Sequence, residues 1–149
     1  MVLNRDRSAG YLTNWAARLF ARELERQLGE TGVASAYMPV MFALADGAAL
    51  TQTELARRAA VEQPTMAATL KRMERDGLIR RDPDPDDRRS ALVRLTERGR
   101  GLMPTVERVV GVINEVALEP LEPAERDDFL RLLGKVIAGL ERRDGDLGR

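Results

Sequence analysis

The side chains available for chemistry in this 149-residue chain are carboxylates, guanidiniums, amides and hydroxyls: it holds 24 Lys+Arg, 24 Asp+Glu and neither Cys nor His. Thiolate and imidazole chemistry are thereby excluded, with no disulfide framework, no cysteine nucleophile, no Ser-His-Asp triad and no zinc site built from His and Cys. The carboxylates fall in no recognisable catalytic spacing and no Gly-rich phosphate loop occurs. The chain is therefore not expected to be an enzyme, and no cofactor or metal is expected. What such side chains can do is recognise a charged partner. The zero net charge hides a segregation: residues 51–100 carry 12 basic and 9 acidic side chains, and residues 101–149 carry 7 and 10. Residues 51–81 alone hold 7 basic to 4 acidic. A protein that binds a dense line of phosphates needs a local basic face and not a basic total. None of the six aromatics (Tyr11, Trp15, Phe20, Tyr37, Phe42, Phe129) lies between residues 43 and 128. With nothing on which single-strand bases could stack, duplex DNA fits this stretch better.

The elements that would position those residues follow from periodicity. Leu12, Trp15, Ala16, Leu19, Phe20, Leu24 and Leu28 recur at helical intervals over 11–28, and Gly29 and Gly32 end that helix. A more apolar segment runs from Ser35 to Ala45. Thr51-Gln52-Thr53-Glu54 fits a capping box, opening a helix with Leu55, Ala56 and Ala59 inward that stops near Ala60. Pro64 then suits the first turn of another helix, running through Met66, Leu70 and Met73 to Gly77. Two short helices joined by a tight turn make a helix-turn-helix. The period then changes: Leu78–Arg81 and Ala91–Leu95 read as strands, and the polar, Pro-containing stretch 82–89 as the exposed loop of a β-hairpin wing. Thr96 caps a long helix with Leu102, Val106, Val109, Val110, Ile113 and Val116 inward, which Pro104 should bend or whose effective start it should set. A last helix, about Ala124 to Leu140, carries Phe129, Leu130, Leu133, Val136, Ile137 and Leu140, and the polar tail from Arg142 to Arg149 is expected to fray. No stretch reaches the roughly 18 uninterrupted apolar residues of a membrane span, and the charged start Met1–Arg7 is followed by more charge, so no anchor or signal peptide is read and a cytoplasmic location is expected.

Four stretches, Leu50–Ala56, Val61–Met66, Leu70–Arg81 and Pro85–Arg100, closely resemble the MarR family of winged-helix transcriptional regulators. The wing Asp-x-Arg (Asp87-Arg88-Arg89) followed by Leu95-Thr96-Glu97-Arg98-Gly99 is the specific part. The resemblance implies a mainly α fold with a small β-wing, in which one MarR-like domain spans 1–149. The winged helix-turn-helix DNA-binding lobe would occupy about 33–100, and helical dimerisation regions about 8–30 and 97–141. It further implies a homodimer on a pseudo-palindromic operator, with the second helix of each helix-turn-helix in a major groove and each wing at the flanking minor groove. Such regulators commonly act as repressors that release DNA when a small phenolic or anionic effector binds.

Carried onto this sequence, the resemblance makes Thr51, Gln52, Gln63, Pro64, Thr65, Ala67, Ala68, Thr69, Lys71, Arg72, Arg75, Asp87, Arg88 and Arg89 the candidate DNA contacts. Gln63 can bond an adenine edge bidentately, although an N-cap role explains it equally well. Thr65 can bond a base or phosphate and offer a methyl to thymine. Small Ala67, Ala68 and Thr69 would let the helix approach base edges closely, though helix propensity alone also accounts for the alanines. Lys71 and Arg72 suit phosphates or, for Arg72, guanine. In the wing, the family pattern assigns Asp87 to orient Arg89 by a charge-assisted pair, leaving Asp82, Asp84 and Asp86 facing solvent. A solvated hairpin with incidental ion pairs is the alternative. Trp15, Arg18, Tyr37, Met41 and Arg58 could line an effector pocket, with core packing the competing role for the apolar ones. The reading from another functional class is a helical dimeric adaptor whose winged helix no longer binds DNA.

Overall fold

A computed structural model of the chain describes residues 4–147. Eight main elements follow in order: α1 (Ala9–Leu28), α2 (Met38–Leu44), α3 (Gln52–Ala59), α4 (Gln63–Arg75), β1 (Ile79–Pro83), β2 (Ala91–Leu95), α5 (Glu97–Leu118) and α6 (Pro123–Leu147). Three-residue 3-10 turns occur at Arg5–Arg7, Gly29–Thr31 and Ser35–Tyr37. This is a mainly helical winged helix-turn-helix. The two strands pair antiparallel with Ile79 opposite Leu95 and Pro83 opposite Ala91, and Leu50 adds an isolated bridge to Val93.

Local chemistry explains most boundaries. Ser8 caps α1 by accepting from the Tyr11 amide at 3.3 Å. At α3 the capping box is complete: the Thr51 hydroxyl accepts from the Glu54 N–H, and the Glu54 carboxylate accepts from the Thr51 N–H at 2.8 Å. Gly77 takes φ 74°, a left-handed conformation that turns the chain from α4 into β1 without a Cβ penalty. Gly99, in the first turn of α5, is glycine for another reason. A Cβ there would stand 2.2 Å from the Leu78 carbonyl oxygen, so α5 meets the backbone of the residue just before β1 directly.

Some sequence expectations change. β1 runs through Asp82 and Pro83, both read above as loop, because Pro83 lies at the strand's last position where its missing N–H costs nothing to the ladder. α5 begins at Glu97 and continues past Pro104, so the proline does not set its start. Thr96 is the cap, its hydroxyl accepting from the Gly99 N–H at 3.0 Å. The segment from Arg142 is not a frayed tail but helix as far as Leu147, while residues 148 and 149 lie outside the described residues. Val116, expected inward, is 68 % exposed.

The chain divides into two compact units with the boundary inside α5, between Ile113 and Asn114. In the first, Leu28, Val33, Tyr37, Met41 and Leu44 join Leu55, Met66, Leu70, Met73, Leu78, Ile79, Val93, Val106 and Ile113 in one buried core. α1 buries only Leu28 fully, leaving Tyr11, Leu12, Trp15 and Leu19 largely uncovered. In the second unit the apolar stripe of α6 is exposed at Phe129, Leu130, Val136, Ile137 and Leu140.

Candidate nucleic-acid interface

α4 separates two faces by its own periodicity. Met66, Leu70 and Met73 are at most 2 % exposed and anchor it to the core. Thr65, Ala68, Lys71, Arg72 and Arg75 point outward, with Gln63 and Pro64 exposed at the N-terminal end and Ala67 half-buried at the margin. Thr69 does not belong to that outer face. Its spacing from Met66, Leu70 and Met73 turns it inward, and it is buried, so it is withdrawn as a groove contact. Gln63 is the first residue of α4 and not its N-cap; Glu62 holds that place without a side-chain bond. The Gln63 Oε1 accepts from Gln52 Nε2 at 3.2 Å, linking the N-terminal ends of the two helices of the motif. Thr51 is committed to its cap, and that bond from the Thr51 backbone holds the Glu54 carboxyl below the usual carboxylate range.

The charged candidates sort into paired and free. Arg75 Nε donates to Asp76 Oδ1 at 3.0 Å and Arg81 Nε to Glu74 at 3.1 Å. Lys71, Arg72, Arg88 and Arg89 have no side-chain hydrogen bond or ion pair among the described residues. Their charge is available to a partner. The wing carboxylates are arranged differently from expectation. Asp82 does not face solvent alone: its Oδ2 takes Arg80 at 3.2 Å and Arg94 at 3.4 Å. Asp84 accepts the Asp86 N–H at 2.9 Å. Asp87 accepts the backbone N–H of Arg89 at 2.9 Å, while its carbonyl accepts from Ser90 at 3.1 Å. Asp87 thus orients the Arg89 backbone through an Asx-type turn, and no guanidinium pair joins the two among the described residues. Three of the four wing carboxylates have local partners, but only Asp82 is offset by cations.

The effector candidates differ in exposure. Met41 is fully buried core. Tyr37 is 3 % exposed and its hydroxyl donates to Asp76 Oδ2 at 2.8 Å. Burial first, and then the Asp76 carboxylate, push the Tyr37 phenol up from its ordinary value. Trp15 packs edge-on to Tyr11 and carries Arg5 over its ring. Arg18 and Arg58 are exposed, on α1 and α3 respectively. Sequence reasoning missed Asp76, whose carboxyl is held low by Arg75 and then Tyr37. Its partner lies 39 residues away in the chain, a separation no periodicity reports.

A family model described as MarR family matches residues 31–90. The HTH-type transcriptional repressor NicR of Pseudomonas putida is 30 % identical over 128 residues, covering 86 % of this chain and 81 % of that protein. A crystal structure of MarR superposes with a TM-score of 0.86 at 25 % identity, covering 98 % of this chain and 99 % of that one. A structure of Bordetella bronchiseptica BpsR, described with the regulation of its DNA binding by 6-hydroxynicotinic acid, gives a TM-score of 0.80 at 26 % identity, covering 91 % and 97 %.

Proposed function

This chain belongs to the MarR family of transcriptional regulators, and from that premise we propose that it acts as a homodimeric repressor reading double-stranded DNA through α4 and the wing. The observation that carries this reading is the outer face of α4. It is a helix fixed to the core by Met66, Leu70 and Met73, presenting small residues and the unpaired cations Lys71 and Arg72. Thr65 and Gln63 stand at its N-terminal end, where donors and acceptors suit base edges. Arg88 and Arg89 extend the cationic surface from the wing, in a form suited to a narrow minor groove.

An equilibrium titration with mixed genomic duplex over a salt series tests it. Affinity should fall steeply with salt, since each neutralised phosphate contributes a slope of about −0.9 in log K against log salt. On the duplex the chain enriches most from a randomised pool, Arg72→Ala and Arg89→Ala should each weaken binding by about 1–3 kcal/mol where the guanidinium reads a base, and on mixed duplex each should flatten the slope where it meets phosphate. If both variants bind as the parent does, the reading is wrong. The adaptor alternative predicts no salt-dependent binding at all.

For the effector, the support is the BpsR likeness and two exposed guanidiniums, Arg18 and Arg58, that have no ion pair among the described residues. The ligand class is a small anionic or phenolic aromatic. A thermal-shift series with 6-hydroxynicotinic acid and simple phenolic acids checks this, because a ligand that binds only the folded form raises the Tm.

A further inference from the structure

α4 is held at both ends by side-chain hydrogen bonds from other segments: Gln52 to Gln63 at its start, and Tyr37 to Asp76 at the residue that follows its last turn. The second tie is the more constrained. The Tyr37 ring is buried in the core, where phenylalanine would pack the same surface, and its hydroxyl has Asp76 as its one partner among the described residues. Asp76 in turn uses both carboxylate oxygens, Oδ2 for Tyr37 and Oδ1 for Arg75, and its N–H donates to the Arg72 carbonyl at 2.9 Å. One residue further on, the Gly77 carbonyl accepts from the Thr96 hydroxyl at 2.5 Å. Tyr37 itself ends a three-residue turn whose first N–H, at Ser35, donates to Glu25 of α1 at 2.7 Å. A stiff ring therefore connects a turn tied to α1 with the end of the helix that faces DNA.

We propose that Tyr37 is a positioning residue for DNA reading: acting through Asp76, it fixes the C-terminal end of α4 and so the angle at which the outer face of that helix meets base edges. This rests on the DNA-binding reading above. A 13-residue helix is about 20 Å long, so a tilt of a few degrees about one end moves the other by about 1 Å. Base-reading geometry tolerates about half that, whereas phosphate contacts made by flexible Lys and Arg side chains tolerate it easily. Losing the tie should therefore reduce discrimination more than general affinity. It also makes Arg75 a partner of Asp76 and not a free phosphate contact.

The test uses the full chain and the duplex it enriches most from a randomised duplex pool, with mixed genomic duplex as the reference. Three variants are compared with the parent: Tyr37→Phe, Asp76→Ala, and both together. The ratio of the two affinities is read well below each Tm, with concentrations corrected for active protein. Tyr37→Phe should lower the specific-to-mixed ratio by about tenfold, the upper end of what one ordinary intramolecular hydrogen bond supplies. Its affinity for mixed duplex and its salt slope should be unchanged. The double variant should lose no more discrimination than Asp76→Ala, because the ring acts only through that carboxylate. A purely structural role for Tyr37 would lower the Tm and active fraction and leave the ratio alone. An unchanged ratio in Tyr37→Phe, or additive losses in the pair, overturns the proposal; Asp76→Ala, at a partly exposed side chain, reads the same tie without touching the core. If the parent enriches no duplex, it is the DNA-binding reading that fails instead.

Discussion

Asp82 shows how much of this surface's behaviour lies in single side chains. Its Oδ2 is shared between Arg80 and Arg94, so one carboxylate keeps two guanidiniums of the wing strands from a polyanion. Asp82→Ala should free both. Binding to mixed-sequence duplex at low salt should then strengthen, and the salt slope should steepen by up to about two units, each new phosphate contact contributing about −0.9. A slope identical to the parent's would show that these guanidiniums do not reach DNA. At this scale the sequence was legible where type alone decides function and illegible where a partner does. Lys71 and Arg72 could be named as candidates from helix spacing, and Arg88 and Arg89 from the wing motif of the resemblance. The inward turn of Thr69 was lost among the small residues around it. The action of Asp87 on the Arg89 backbone, and the Tyr37–Asp76 bond, depend on where atoms sit rather than on which residues occur.

Among elements, α3 was the most legible, because a capping box is a reciprocal pattern over four residues: Thr51 and Glu54 each satisfy a donor of the other. Its pH dependence has a definite sign. Glu54 has its folded-state pKa lowered from 4.5, the Thr51 backbone bond being the largest cause. Its contribution to stability is therefore complete above the unfolded value and lost as pH falls through the folded one. Thr51→Ala should lower stability by about 1 kcal/mol at neutral pH. Glu54→Gln should flatten the acid limb of a Tm-against-pH curve below about pH 4.5. An unaltered acid limb would contradict the assignment. The ends of other elements were harder to read. β1 continues through Pro83 since an edge position tolerates a missing N–H, and α6 continues through its polar end to Leu147. Gly99 looked like an ordinary motif glycine; its reason, the Leu78 carbonyl against its Cα, requires coordinates.

The arrangement of the whole chain leaves apolar surface uncovered in each unit, at Tyr11, Leu12, Trp15 and Leu19 on α1 and at Phe129, Leu130, Ile137 and Leu140 on α6. The periodicity of both stripes was plain in the sequence, but a stripe does not say whether its cover comes from the same chain or another. Exposed faces of this kind mark association surfaces, and the proposed homodimer covers them with a second copy. Ile137→Glu places a charge in the α6 stripe, and sedimentation velocity should then report a monomer where the parent sediments as a dimer; a dimeric variant would place the interface elsewhere. Duplex affinity should fall with dimerisation, since two half-sites can be held only by two linked reading helices. Whether the molecule reads duplex sequence with two-fold symmetry is decided by sequencing the duplexes that the full chain retains from a randomised pool. An inverted repeat is expected, with half-site centres about one helical turn, 10–10.5 base pairs, apart or a multiple of it. A retained pool with no enriched sequence, or with a single unrepeated site, would contradict it.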